Sequence, residues 1–169
     1  MNYFEVYDIP VQLLVDKTVF KKKYFELSRR YHPDYFVQQE AATQQQALEQ
    51  SALINKAYKT FSSRDETIKY VLELKGLLTE NEKYDLPPDF LMEMLELNES
   101  LAEAQFDPAA RAAVLQKVLQ TEDELYQPVK GIIENYREGV TTTAELRQVK
   151  DYYFKKKYLE RLKQQLAEK

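Results

Sequence analysis

The tripeptide His32-Pro33-Asp34 carries the residue types with which this chain could act on a partner. Pro33 lacks a backbone donor and disfavours helical geometry at His32, so a helix that reaches this point must end at about Tyr31. Asp34 then presents an acceptor-only carboxylate from a defined bend, which suits a charge-assisted hydrogen bond to an arginine of a partner. The His32 ring can add a hydrogen bond that holds the turn. Taken alone, the tripeptide is equally compatible with an ordinary polar turn that ends a helix.

Two amphipathic helices flank the tripeptide. Asp16 is typical of an N-cap for a helix that runs to Tyr31. One stripe of this helix is apolar and aromatic, at steps of four, three and four: Phe20, Tyr24, Leu27 and Tyr31. Largely outside the stripe lie the basic residues Lys21, Lys22, Arg29 and Arg30. A second helix, about residues 41–61, repeats the same steps, so we expect the two stripes to pack against each other in an antiparallel pair.

The composition predicts an all-α protein. The 169 residues include 3 glycines and 6 prolines, too few for the many turns of a β protein, and 44% of them are hydrophobic, enough for a core. With one histidine, no cysteine and no glycine-rich phosphate loop, we expect no enzyme activity, no disulfide and no cofactor. His32 and Asp34 lack further metal ligands, so no zinc site is expected.

The charge of the chain argues against nucleic acid as a partner. The net charge is -4, and the basic and acidic residues lie in different segments. Residues 17–30 hold six basic residues and one acid, whereas residues 85–107 hold seven acids and no base. The C-terminal basic segment consists of the run Lys155-Lys156-Lys157 with Arg161 and Lys163. Because Glu160 and Glu168 interrupt this segment, we interpret it as a solvated helix face. Because no segment resembles a signal peptide or a membrane span, the sequence indicates a cytoplasmic protein.

Gly76 and Pro87-Pro88 mark a boundary between two units. We predict a first unit at residues 1–75, a linker at 76–87 and a C-terminal three-helix bundle at 88–169. The three bundle helices are expected at about residues 89–104, 108–137 and 142–166. Asp107 can cap the middle helix, and Pro128 and Gly131 are candidates for a kink in it.

The first bundle helix predicts a second functional surface. Its core stripe is complete at steps of four, three, four and three: Phe90, Met94, Leu97, Leu101 and Ala104. The residues left outside that stripe are Leu91, Met92, Leu95, Glu96, Glu99 and Glu103. Large apolar side chains beside acids are typical of a protein-docking patch, in which the acids steer a basic partner. The alternatives are scattered surface residues or a face that another helix covers.

With its flanking helices, the tripeptide resembles a J domain over residues 1 to about 75. The second helix contributes the segment Ile54-Asn55-Lys56-Ala57-Tyr58 to this resemblance. More narrowly, the chain resembles the HscB-type subfamily. The segments that carry this narrower resemblance are Tyr3-Phe4, Tyr31-His32-Pro33-Asp34-Tyr35-Phe36, Ser51-Ala52, Tyr70-Val71-Leu72 with Leu74 and Gly76, and Phe90-Leu91-Met92-Glu93 with Leu95-Glu96-Leu97.

The resemblance implies a co-chaperone of iron-sulfur cluster assembly. In that subfamily the J domain stimulates the ATPase of a DnaK-type chaperone such as HscA, and the bundle binds the scaffold protein IscU. By position, the resemblance assigns His32-Pro33-Asp34 and the basic face to the chaperone, and the bundle patch to the scaffold. Tyr35 departs from the pattern, because a lysine is common there. The third bundle helix also departs around Tyr152-Tyr153-Phe154, where a client-facing aromatic is expected.

Two other functions are compatible with the sequence. One is a helical adaptor whose J-like unit no longer stimulates an ATPase. The other is a J protein that serves a different client and has no role in iron-sulfur assembly.

Overall fold

The computed structural model describes residues 1–167, which form α-helices, turns and two short 3-10 segments and include no β-strand. The helices are α1 (Tyr3–Val6), α2 (Lys17–Arg30), α3 (Ala41–Phe61), α4 (Arg64–Leu74), α5 (Pro88–Glu103), α6 (Pro108–Tyr126), α7 (Lys130–Glu134) and α8 (Thr143–Ala167). The 3-10 segments are Pro33–Phe36 and Gln127–Val129. The predicted all-α class is confirmed. The predicted bundle includes residues 168 and 169, and these two, with Glu168 among them, lie outside the described residues.

Side-chain caps fix where the two predicted helix starts fall. The Asp16 carboxylate accepts hydrogen bonds from the amides of Thr18 and Val19, at 2.8 and 3.2 Å. Asp107 accepts from the amide of Ala109 at 3.1 Å, and Pro108 occupies the first turn of α6. Each carboxylate satisfies amide groups that have no partner inside the helix, so both predicted caps are confirmed.

The middle bundle helix is shorter than predicted. α6 ends at Tyr126, a 3-10 turn follows at Gln127–Val129, and α7 ends at Glu134 instead of Arg137. Pro128 lies in the 3-10 turn, where its ring and its missing amide prevent a continuous α-helical ladder. The expected kink is therefore a break between two helices.

α8 belongs to two hydrophobic cores. The core of the first unit is formed around residues of α1 to α4 such as Phe20 and Ile54, and it continues into Ile133 of α7 and into Val149 and Tyr153 of α8. The second core lies inside the bundle and includes Met94, Leu159 and Leu162. Because one helix contributes to both cores, the units are joined by packed side chains.

The segment between the two units is packed against α8. Leu78 is buried in the first core. The Tyr84 hydroxyl donates to the Asp151 carboxylate at 2.9 Å, and the Tyr84 ring stacks on Phe154 with centroids 4.5 Å apart. Burial and this carboxylate raise the pKa of Tyr84 to about 12, so its hydroxyl remains a donor further into the alkaline range than an ordinary tyrosine. Although this stretch has a linker-like composition, its side chains fasten it to the bundle.

Ion pairs link the first unit to the bundle. Lys156 of α8 contacts Asp65 of α4 at 2.8 Å, and its side chain is only 14% exposed. Lys75 also pairs with Glu138. Lys155, next to Lys156, is held by Asp151 at 2.7 Å. The interpretation of the three-lysine run as a solvated face is therefore wrong for Lys155 and Lys156, which are only partly exposed. Lys156 pairs with the distant Asp65, and Lys155 pairs with Asp151 one turn before it and lies over the Phe90 ring.

No helix among residues 1–167 has both the length and the apolar character that a membrane span requires.

Because the first core continues into α7 and α8, we predict that a cavity made at α7 also lowers the stability of the first unit. Ile133→Ala removes a fully buried side chain and should lower the free energy of unfolding by about 2–5 kcal/mol. Amide hydrogen exchange should then become faster in α3 and α4 as well as in α8. Exchange that accelerates in α8 and leaves α3 and α4 unchanged would show that the units unfold independently.

The Glu82–Lys150 pair, 2.7 Å apart, predicts a pH-dependent contribution to stability. The hydrogen bond from Lys150 lowers the pKa of Glu82 below that of a carboxyl group in the unfolded chain. The pair therefore contributes its full stabilisation at pH values above the ordinary carboxyl pKa. That stabilisation is lost as the pH falls through the lowered pKa of Glu82. Glu82→Gln should therefore melt below the wild type at neutral pH, and the gap should close in acid. Glu80→Gln, on an exposed neighbour, is the control. A gap that persists unchanged at pH values below the carboxyl range would contradict the assignment.

Candidate functional site

The end of α2 positions the His32-Pro33-Asp34 loop. Tyr31 closes the helix, with its amide donating to the Leu27 carbonyl at 3.0 Å. His32 has extended backbone geometry, with φ -61° and ψ 129°, and Pro33 begins the 3-10 turn. The helix ends where the sequence predicted, because Pro33 excludes a helical His32.

A local hydrogen bond holds the loop. Nδ1 of His32 accepts from the Asp34 amide at 3.2 Å. A ring nitrogen that accepts carries no proton, so this hydrogen bond requires the His32 tautomer whose proton lies on Nε2. The same Nδ1 is 3.6 Å from the Asp34 carboxylate, too far for a hydrogen bond. The Asp34 side chain is 85% exposed, so its carboxylate is accessible to a partner. The backbone amide of Asp34 is at the same time held in place by its hydrogen bond to His32.

A basic face leads along α2 to this loop. Lys22, Arg29 and Arg30 are exposed, and Lys21 is half-buried. Within residues 1–167, none of these four cations forms an ion pair with a carboxylate. Their charge is therefore not neutralised inside the fold, and the face presents a positive field to an approaching partner.

Three exposed apolar residues near this face were not among the predicted contacts. Phe25 lies on α2 itself, and Tyr35 and Val37 follow the tripeptide. The His32 and Tyr35 rings meet edge-on, with centroids 6.0 Å apart. The signal for Phe25 was present in the sequence, since it lies four residues after Lys21 and four before Arg29, outside the core stripe.

The predicted patch lies on the outside of α5. The core stripe of this helix is buried at Phe90, Met94, Leu97 and Ala104, and Leu101 is half-buried. Leu91, Met92 and Leu95 are 42%, 58% and 50% exposed, although they are large apolar side chains. Exposed beside them are the acids Glu96, Glu99 and Glu103. In the described part of the chain, no other helix covers these three apolar residues.

The structure places the two predicted surfaces on separate units. The loop and basic face belong to α2 and the turn that follows, whereas the patch belongs to α5, which packs on α6 and α8. Further exposed apolar side chains, which were not predicted, lie on the bundle at Phe106, Leu115 and Leu119. Among residues 1–167, no three histidine or carboxylate side chains cluster in a way that could hold a metal ion.

The rings at Tyr152-Tyr153-Phe154 have structural contacts. Tyr152 and Tyr153 are buried in the core shared with the first unit, and Phe154 is half-buried against Tyr84. Burial raises the pKa of both Tyr152 and Tyr153. The expectation of a client-facing aromatic in this segment is therefore wrong for the two buried tyrosines.

Comparison with known proteins agrees with this architecture. Residues 86–167 match the family model of the HSCB C-terminal oligomerisation domain. The co-chaperone protein HscB homolog of Vibrio cholerae serotype O1 (strain M66-2) is 32% identical, over 98% of this chain and 99% of the relative. Homologs from two further strains of that serotype, ATCC 39541 and ATCC 39315, show the same identity and coverage.

Two solved structures share the fold. The crystal structure of the human co-chaperone protein HscB superimposes with a TM-score of 0.81 at 27% identity, over 99% of this chain and 81% of the human one. The chaperone HscB from Vibrio cholerae gives 0.67 at 30% identity, over 98% and 99%. These proteins share the order of the present fold, a J domain followed by a helical bundle. A full-length relative, a matching bundle and the accessible Asp34 loop lead to one conclusion: the chain belongs to the HscB family of co-chaperones.

Proposed function

We propose that this chain stimulates ATP hydrolysis in a DnaK/HscA-type chaperone and delivers an IscU-type scaffold protein to it during iron-sulfur cluster assembly. The observation that carries the proposal is the loop: the backbone of Asp34 is held by His32, and its carboxylate is exposed at the end of a basic helix. The chain supplies no reacting group of its own in this account. It acts by coupling two bound proteins.

At the chaperone end, charge guides the encounter and the loop makes the specific contact. The unpaired cations of α2 attract an acidic face, and attraction between unlike surfaces raises the association rate. Asp34 then accepts a charge-assisted hydrogen bond from an arginine of the chaperone. Because Pro33 and the His32 hydrogen bond already restrict the loop, little conformational entropy is lost on binding.

At the client end, the α5 patch supplies the contact. Leu91, Met92 and Leu95 provide apolar area, and the acids beside them orient a basic surface of the scaffold. The loop and the basic face bias the chaperone toward its hydrolysis-competent state, and the size of this bias is limited by their difference in affinity for the two states of the chaperone. The packed joint keeps both ends in one assembly, so a bound client is presented where hydrolysis is triggered.

Asp34→Asn should abolish stimulation. The amide side chain keeps the size of the carboxylate but loses its charge, and the contact to an arginine should weaken by about 2–5 kcal/mol. Single-turnover ATP hydrolysis by the cognate DnaK-type chaperone measures the effect, with Asp85→Asn as the control on an exposed acid of the connecting segment. Equal hydrolysis rates with and without the wild-type chain would support the adaptor alternative.

Replacing Leu91, Met92 and Leu95 together with serine should weaken scaffold binding at least about tenfold, because the apolar contact is lost. Isothermal calorimetry measures the affinity. Leu115→Ser with Leu119→Ser is the matched control, since these leucines are also exposed but lie on α6. Unchanged affinity in the triple variant would show that the patch is not the scaffold-binding contact. Stimulation of the ATPase without any scaffold binding by the wild type would indicate a different client.

A further inference from the structure

Phe25 lies in the middle of the basic face of α2. It follows Lys21 by four residues and Lys22 by three, and it precedes Arg29 by four, so all four side chains share one side of the helix. The core stripe of α2 is already occupied on the opposite side by Phe20, which is buried. Phe25 is therefore not required to complete the core.

The fold leaves the Phe25 ring largely in water. The side chain is 59% exposed and belongs to neither hydrophobic core. Its ring meets that of Tyr24 edge-on, with centroids 5.6 Å apart, which props it against the helix and limits its rotamers. Burying a ring of this size against a partner removes its apolar surface from water, which favours binding.

We propose that Phe25 is the apolar anchor of the chaperone-facing surface and inserts into an apolar recess within an acidic face of the ATPase partner. The inference rests on the proposed function. Aromatic residues at the centre of a contact, ringed by polar groups that exclude water, carry most of the binding energy in many interfaces. Around Phe25, these polar groups are Lys21, Lys22 and Arg29.

The chaperone fits this surface better than a second copy of α2. Two such faces would bring like charges together, which opposes association. The face is also continuous with the loop, because Arg29 and Arg30 lie between Phe25 and His32 on the same helix end. A partner that reaches Asp34 with an arginine therefore extends over Phe25 when it docks along α2.

The two parts of the surface should respond differently to salt. Screening shortens electrostatic attraction to about 10 Å at 0.1 M salt and about 3 Å at 1 M, whereas burial of an apolar ring is not screened. The cations therefore determine the salt-dependent part of the affinity. Phe25 determines the part that persists at high salt.

The test is the chain concentration that gives half-maximal stimulation of the chaperone in single-turnover hydrolysis, measured at low and at high salt. Phe25→Ala should raise it roughly tenfold at both, with the maximal rate retained because Asp34 is intact. Lys22→Ala should raise it at low salt only. Phe106→Ala, which removes an exposed ring from the bundle, should leave it unchanged. Phe25→Tyr, which keeps the ring, should restore most of the affinity.

The possible failures are distinguishable. If the wild type stimulates and Phe25→Ala matches it at both salts, the anchor is refuted and the proposed function stands. If the wild type does not stimulate, both fall. Sedimentation that shows a wild-type dimer lost in Phe25→Ala would assign the ring to a second copy and overturn the inference. Alanine has the higher helix propensity, so α2 should persist, and an unchanged melting profile verifies this.

Discussion

The packing of α8 in two cores constrains everything else in the molecule. Its 25 residues span about 37 Å at 1.5 Å per residue, long enough to reach from one unit into the other. Val149 and Tyr153 lie in the core of the first unit, and Leu159 and Leu162 lie in the bundle. Because a helix resists bending over this length, the two cores set the position of the J domain relative to the bundle. The ion pair between Lys156 and Asp65 adds a polar contact at the same joint.

Under the proposed function, this joint would allow the two separated surfaces to act together. The basic face on α2 and the acidic, apolar patch on α5 carry opposite charge and suit different partners. Placing them on separate units prevents them from neutralising each other within the chain. Fixing the units relative to each other would lower the entropy lost if both partners bind, because the chain would not have to be ordered again. The oppositely charged surfaces are thus kept apart, while the shared core holds the units that carry them in a fixed arrangement.

Features set by neighbouring residues could be predicted from the sequence, and features set by distant contacts could not. The starts of α2 and α6 follow from Asp16 and Asp107, and the buried stripe of α5 follows from its period. The packing of the connecting segment depends on Tyr84 and Asp151, which are 67 residues apart. Composition around Gly76 indicates only that helices stop there, and it carries no information on what the intervening side chains touch.

The same division applies to the candidate site. The bend at His32 was predictable because proline acts on its immediate neighbour, and the exposure of Leu91, Met92 and Leu95 followed from a core stripe that was already complete. Periodicity placed Phe25 outside the core but did not single it out as a candidate contact residue. The burial of Tyr152 was not predictable, since it depends on where the end of α6 and the first unit meet α8.

The central claim is that one molecule must engage chaperone and client at the same time. It is tested most directly by mixing two variants, Asp34→Asn, which keeps the client end, and the triple serine variant at Leu91, Met92 and Leu95, which keeps the chaperone end. Formation of the chaperone–scaffold complex is measured with the mixture and with the intact chain. The mixture should form no more complex than either variant alone. Full recovery by the mixture would contradict the central claim.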